Sequence, residues 1–135
     1  MLKAKGIYKS FVELTILKGV DIEVKKKQLV SIVGPSGAGK TTLLQILGTL
    51  DTPDLGKGEL SINGVDVLGL TSNALAQFRN EHLGFIFQFH QLLPEFTAVE
   101  NIIIPSILGG GSKSVATEKA KQLLKVIQSY INKSA

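Results

Sequence analysis

The stretch Gly34-Pro35-Ser36-Gly37-Ala38-Gly39-Lys40-Thr41 constrains this chain more than any other part of it. It matches G-x-x-x-x-G-K-[ST], and a shuffled chain of this composition would supply roughly 0.02 accidental matches. Its setting narrows the reading. Leu29-Val30-Ser31-Ile32-Val33 precedes it, a mostly β-branched run expected to be a strand buried on both faces. After it, Leu43, Leu44, Ile46, Leu47 and Leu50 recur at three and four, which predicts a helix with one apolar stripe ended by Asp51-Thr52-Pro53-Asp54. Glycines let backbone N–H groups converge on one phosphate, and the helix N-terminus adds its unpaired donors and positive dipole end. Lys40 would reach the β- and γ-phosphates, and the Thr41 hydroxyl would face Mg²⁺, a hard ion that prefers oxygen. The unit predicts a nucleoside triphosphate site.

Composition bounds the remainder. With 135 residues the chain is one domain or a piece of one, and 44% apolar content excludes a disordered tail. The absence of cysteine excludes disulfides, thiolate metal sites and a cysteine nucleophile. A net charge of +4 suits an anionic ligand, while scattered basic residues without an aromatic ladder argue against nucleic acid. No apolar run approaches the ~20 residues that span a bilayer, and the opening residues lack a signal peptide's apolar stretch. The expectation is a cytoplasmic chain, or one attached to a membrane through a partner. A mean hydropathy of +0.23 is high for so small a chain and suggests apolar surface that needs a neighbour.

Elsewhere, Val20-Asp21-Ile22-Glu23-Val24 alternates like a half-exposed strand, with Lys25-Lys26-Lys27 as its turn. Residues 59–67 read as a hairpin about Asn63-Gly64. Thr71 or Ser72 can cap a helix to about Arg79, and Leu83-Gly84-Phe85-Ile86-Phe87 reads as a second short strand ending at Gln88. Thr97-Ala98-Val99-Glu100 is a capping box, opening a helix that Pro105 limits or kinks. Beyond the joint Gly109-Gly110-Gly111-Ser112, the positions Ala116, Ala120, Leu123, Leu124, Ile127 and Ile131 mark another amphipathic helix. Turnover of a triphosphate needs a carboxylate at the end of a second buried strand. No run of four apolar residues leads into Asp or Glu, and His82 and His90 read as surface or packing residues.

The chain resembles the first part of the nucleotide-binding subunit of an ATP-binding cassette transporter. Leu17-Lys18-Gly19-Val20 resembles the opening of the cassette's antiparallel sheet, residues 34–42 its Walker A loop, and Gln88 its Q-loop glutamine. Residues 83–94, with Phe96-Thr97-Ala98-Val99-Glu100-Asn101, are similar to the lipoprotein-releasing and macrolide-export group. The resemblance covers residues 1 to about 127 and implies an α/β P-loop NTPase. Residues 1–108 would be a partial core, with antiparallel subdomain, Walker A strand–loop–helix and Q-loop. Residues 109–135 would be the glycine joint and the start of a helical subdomain. It implies ATP and Mg²⁺ held by Gly34, Pro35, Ser36, Gly37, Ala38, Gly39, Lys40, Thr41 and Thr42, with Thr41 and Gln88 toward the metal. Lys40 and Gln88 would serve the reaction. Phe11 would stack on the adenine ring, with Tyr8 as second candidate, although Phe11 could equally be a core residue. Implied partners are a second ATPase subunit and a transmembrane permease docking along 88–107, on the cytoplasmic face of the inner membrane.

The family's L-S-G-G-Q-like signature, Walker B strand, catalytic Glu and switch His do not occur in these 135 residues. The chain is therefore expected to be truncated, unable to complete turnover alone, and either marginal in stability or prone to associate. The alternatives are a non-catalytic nucleotide-binding or assembly module docking on a transmembrane partner, and, last, an unrelated phosphate-loop kinase. Lys27-Gln28 stands where the family usually has Gly-Glu.

Overall fold

Ten residues of alternating character begin β1 (Leu2–Phe11), which folds back antiparallel onto β2 (Leu14–Val24). A strict two-residue period would not bury both Ala4 and Ile7. A register shift between them, with Gly6 at φ 59°, lets both face inward. The computed structural model describes residues 1–89 and 91–134, so His90 and the side chain of Ile131 lie outside the described residues. The chain divides into two compact units, Met1–Arg79 and Asn80–Ala135.

In the first unit, β3 (Glu59–Ile62) pairs with the far edge of β1, and β4 (Val65–Asp66) closes the hairpin, giving the order β2-β1-β3-β4. Asn63 and Gly64 both have positive φ, 52° and 84°, as a two-residue primed turn demands. α1 (Lys40–Leu47) buries Leu43, Ile46 and Leu47, while Leu44 and Leu50, expected on the same stripe, are about half exposed. Fully burying a side chain such as Ile7 or Ile46 contributes about 1.5–3 kcal/mol. α1 ends in a Schellman pattern: Leu50 N–H donates to Gln45 O at 2.8 Å and Thr49 N–H to Ile46 O at 2.9 Å. Thr49 thereby sits at φ 59°, a position glycine usually takes, and its buried hydroxyl has no partner among the described groups.

The expected buried strand over residues 29–33 is absent. The segment belongs to no strand, and Leu29 and Val33 are 95% and 86% exposed. Residues 83–87 likewise form no strand, and Ile86 is fully exposed. A strand exists only when its N–H and C=O groups meet a neighbour, and among the described residues every pairing is antiparallel and within β1–β4. The turn at Lys26–Lys27 forms, with Lys27 at φ 65°, where the family's glycine would be unstrained.

α2 (Ser72–His82) starts beside Thr71, whose Oγ1 accepts from Ala74 N–H, and runs three residues past Arg79. In the second unit, α3 (Ala98–Leu108) has the expected capping box at Thr97 and Glu100. Pro105 lies inside this helix, and the chain continues one turn beyond it before Gly109. α4 (Lys113–Ser134) packs Ala116 and Ala120 against Ile103, with Val99 and Ile102 beside them. Leu123 and Ile127, farther along the expected stripe, are about half exposed.

Candidate functional site

The loop before α1 is built around Gly39, which caps the helix at φ 84°. A Cβ there would lie 2.7 Å from Ile16 Cγ2 and 2.9 Å from Leu17 Cδ2, so β2 and the helix start approach too closely for any side chain. Ala38 N–H donates to Pro35 O at 3.3 Å and closes the turn. Lys40 folds back over the loop, its Nζ donating to the carbonyls of Gly34 at 3.0 Å and Pro35 at 2.7 Å. No acidic residue occupies the first turn of α1. The first N–H groups of a helix lack partners within it, so this end offers backbone donors, one ammonium and no competing anion.

A cavity of about 270 Å³ opens here, lined by Phe11, Ile16, Ser36, Gly37, Gly39, Lys40, Thr41 and Thr42. Six of the expected phosphate-site residues therefore share one concavity with the expected aromatic. Gly34 and Pro35 take part through their carbonyls and Ala38 through the turn. Phe11 is half exposed at the end of β1. Tyr8 packs elsewhere, its hydroxyl against Gly19 and Lys57 Nζ 5.3 Å from its ring centre. The donor set fits a polyphosphate: backbone N–H groups at a helix start, a cation, and the exposed hydroxyl of Thr41 for a hard metal ion. Among the described residues no group of three or more His, Cys, Asp or Glu side chains gathers to hold a metal alone.

Gln88 lies in the second unit, exposed in the segment between α2 and α3. Phe85 and Phe87 stack there, ring centres 5.7 Å apart. Asn101 organises the approach to α3. Its Oδ1 accepts from Leu93 N–H at 2.9 Å, and its Nδ2 donates to the carbonyls of Leu93, Phe96 and Thr97 at 3.0–3.1 Å. A groove of about 240 Å³ follows, lined by Phe96, Glu100, Ile103, Ile104, Ile107, Leu108 and Lys113. His82 is exposed, its Nε2 3.9 Å from Glu81 Oε2.

The residues that fix the end of β1 escaped the sequence reading. Lys9 Nζ donates to Asp51 Oδ1 at 2.7 Å and to Thr52 O at 2.6 Å. Ser10 N–H and Oγ donate to the two oxygens of Asp54 at 3.0 Å, and Asp54 N–H donates to Tyr8 O at 2.9 Å. Residues 51–54 thus strap the loop after α1 to the strand bearing Phe11. Burial raises the Asp51 carboxyl pKa, but hydrogen bonds from Lys9 and Thr52 and the Lys9 charge outweigh it, leaving it below the usual 3.8. Nothing local announces these contacts, because Lys9 and Asp51 are 42 positions apart.

Comparison with known proteins agrees with this geometry. The family model described as "ABC transporter" matches residues 17–134. The lipoprotein-releasing system ATP-binding protein LolD of Bacteroides thetaiotaomicron is 56% identical over 124 residues, 92% of this chain and 56% of its own length. LolD of Porphyromonas gingivalis shows the same identity and coverage. The chain thus spans a little over half the length of these curated relatives. A solved dimer of the ATP-binding cassette MJ0796 bound to ADP and Pi superposes with a TM-score of 0.79 at 36% identity, over 93% of this chain and 56% of that one. A Walker A loop closed by a glycine that admits no side chain, opening the helix after an antiparallel sheet, and a family match over most of its length place this chain in the ABC transporter family, within the ATP-binding domain.

Proposed function

We propose that the chain binds Mg-ATP at residues 34–42 and belongs to the ATP-binding subunit of a transporter that releases lipoproteins. The observation that carries the binding is the shared cavity, where Phe11 meets Ser36, Gly37, Gly39, Lys40, Thr41 and Thr42. The lipoprotein reading rests on relatives named for that system at 56% identity. In this reading Phe11 stacks on adenine through its flat π face, and the loop N–H groups and Lys40 hold the phosphates. Lys40 would exchange the carbonyls of Gly34 and Pro35 for phosphate oxygens. Thr41 would offer its hydroxyl to Mg²⁺, which neutralises phosphate charge when bound.

ABC ATPases work in pairs and with permeases, and a dimeric cassette is among the structural neighbours. We assign permease docking to residues 88–107. The apolar groove beside α3 supports this, being lined by Phe96, Ile103, Ile104 and Ile107. Among the described residues no helix is long and apolar enough to cross a membrane. In this reading attachment to the cytoplasmic face passes through that partner. The test is calorimetric titration of the chain with Mg-ATP beside Lys40→Ala. Saturable binding that the substitution weakens at least tenfold supports the reading. Equal binding by both chains, or binding by neither, overturns it.

A further inference from the structure

The proposed nucleotide site leaves open what holds Phe11 in place, since its ring is half exposed at a strand end followed by the fully exposed Val12 at φ 53°. A lone aromatic there would sample several rotamers, and each stacking event would have to order it. Lys9 answers this. Its Nζ lies 5.3 Å from the Phe11 ring centre, within cation–π range. The same ammonium is pinned by Asp51 and by the Thr52 carbonyl, and the Lys9 side chain is only 13% exposed. A long side chain thus becomes a fixed charge against one aromatic ring. Asp51 and Thr52 follow the Schellman turn of α1, the helix that opens at Lys40.

We infer that Lys9, clamped by Asp51 and Thr52, is a positioning residue that orders the Phe11 ring for a nucleobase and couples the aromatic platform to the phosphate-binding helix. The inference deepens the reading of the 34–42 cavity as a nucleotide site and rests on it. The clamp acts on the base end of the ligand only. Its loss should therefore separate a ligand with a base from a phosphate chain without one. A purely structural role would not make that distinction, because a deformed loop binds both ligands poorly.

The experiment titrates the full chain by calorimetry with Mg-ATP and separately with magnesium tripolyphosphate, in wild type, Lys9→Met, Lys9→Arg and Asp51→Asn. Cation–π energies near such sites correspond to roughly 2- to 30-fold in binding. We expect Lys9→Met to weaken ATP about 5- to 10-fold while tripolyphosphate stays within twofold of wild type. Asp51→Asn, which frees the ammonium without shortening Lys9, should move the same way, and Lys9→Arg should restore ATP binding. Equal weakening of both ligands, or unchanged ATP binding in Lys9→Met and Asp51→Asn, overturns the clamp while leaving the phosphate site standing. Wild type that binds neither ligand overturns the nucleotide site itself, and the clamp with it.

Discussion

Thr49 carries two costs on one residue. At φ 59° its branched Cβ crowds the backbone, and its hydroxyl is buried without a partner among the described groups. Replacing it by valine keeps the branched shape and exchanges the hydroxyl for a methyl. Thr49→Val should therefore stabilise the first unit by about 1 kcal/mol, read as a higher urea midpoint with unchanged slope. A lower midpoint would mean that the hydroxyl has a partner in solution. At this scale the sequence was readable where chemistry is written in neighbouring letters. Gly39 and Lys40 are recognisable because a phosphate loop needs its glycines and lysine at fixed spacing. Lys9, Asp51 and Asp54 carry no such spacing. Their roles arise only when the sheet brings residue 9 to residue 51.

Helices were legible for a related reason, since each satisfies most of its backbone within one segment. The start of α3 could be named from Thr97 and Glu100 alone, and both halves of that box form. Glu100 N–H donates to Thr97 Oγ1 at 3.3 Å, and Thr97 N–H to Glu100 Oε2 at 2.9 Å. Thr97→Ala should cost about 1 kcal/mol of α3 stability, seen as faster amide exchange in its first turn. The hydrogen bonds from the Thr97 side chain and backbone, aided by the Lys113 charge, outweigh a small desolvation and hold the Glu100 carboxyl below its ordinary 4.5. A carboxyl depressed in the folded state stabilises it above the unfolded value and loses that contribution as pH falls through the folded one. The same amides should therefore exchange faster, relative to an unfolded control, as pH drops below about 4.5, and Glu100→Gln should flatten that dependence. The hairpin about Asn63-Gly64 was legible from its turn, but the two apolar strands were the opposite case. Residues 29–33 have the composition of a buried strand, yet composition cannot supply the neighbour that strand pairing requires.

Across the whole molecule, several apolar residues outside the sheet and helices lie in the open. Leu29, Val33, Ile86 and Phe89 are each more than two-thirds exposed. Apolar, β-branched segments outside any sheet are templates for pairing with another chain. Sedimentation of the isolated chain should therefore show association that grows with concentration, and a Leu29→Lys, Val33→Lys double substitution should reduce it. A wild-type monomer across the micromolar range would contradict this. The strap of residues 51–54 also sets an order of events during synthesis. Closing the 42-residue span between Lys9 and Asp51 costs about 3 kcal/mol of chain entropy beyond a constant. At roughly 5–20 residues per second, Asp51 leaves the ribosome about 2–8 s after Lys9. Residues 34–42 emerge in that interval, ahead of Asp51. On the proposed reading, a nascent chain would thus present its phosphate loop before the ring beside it is locked, so that discrimination among bases would lag behind the grip on phosphate.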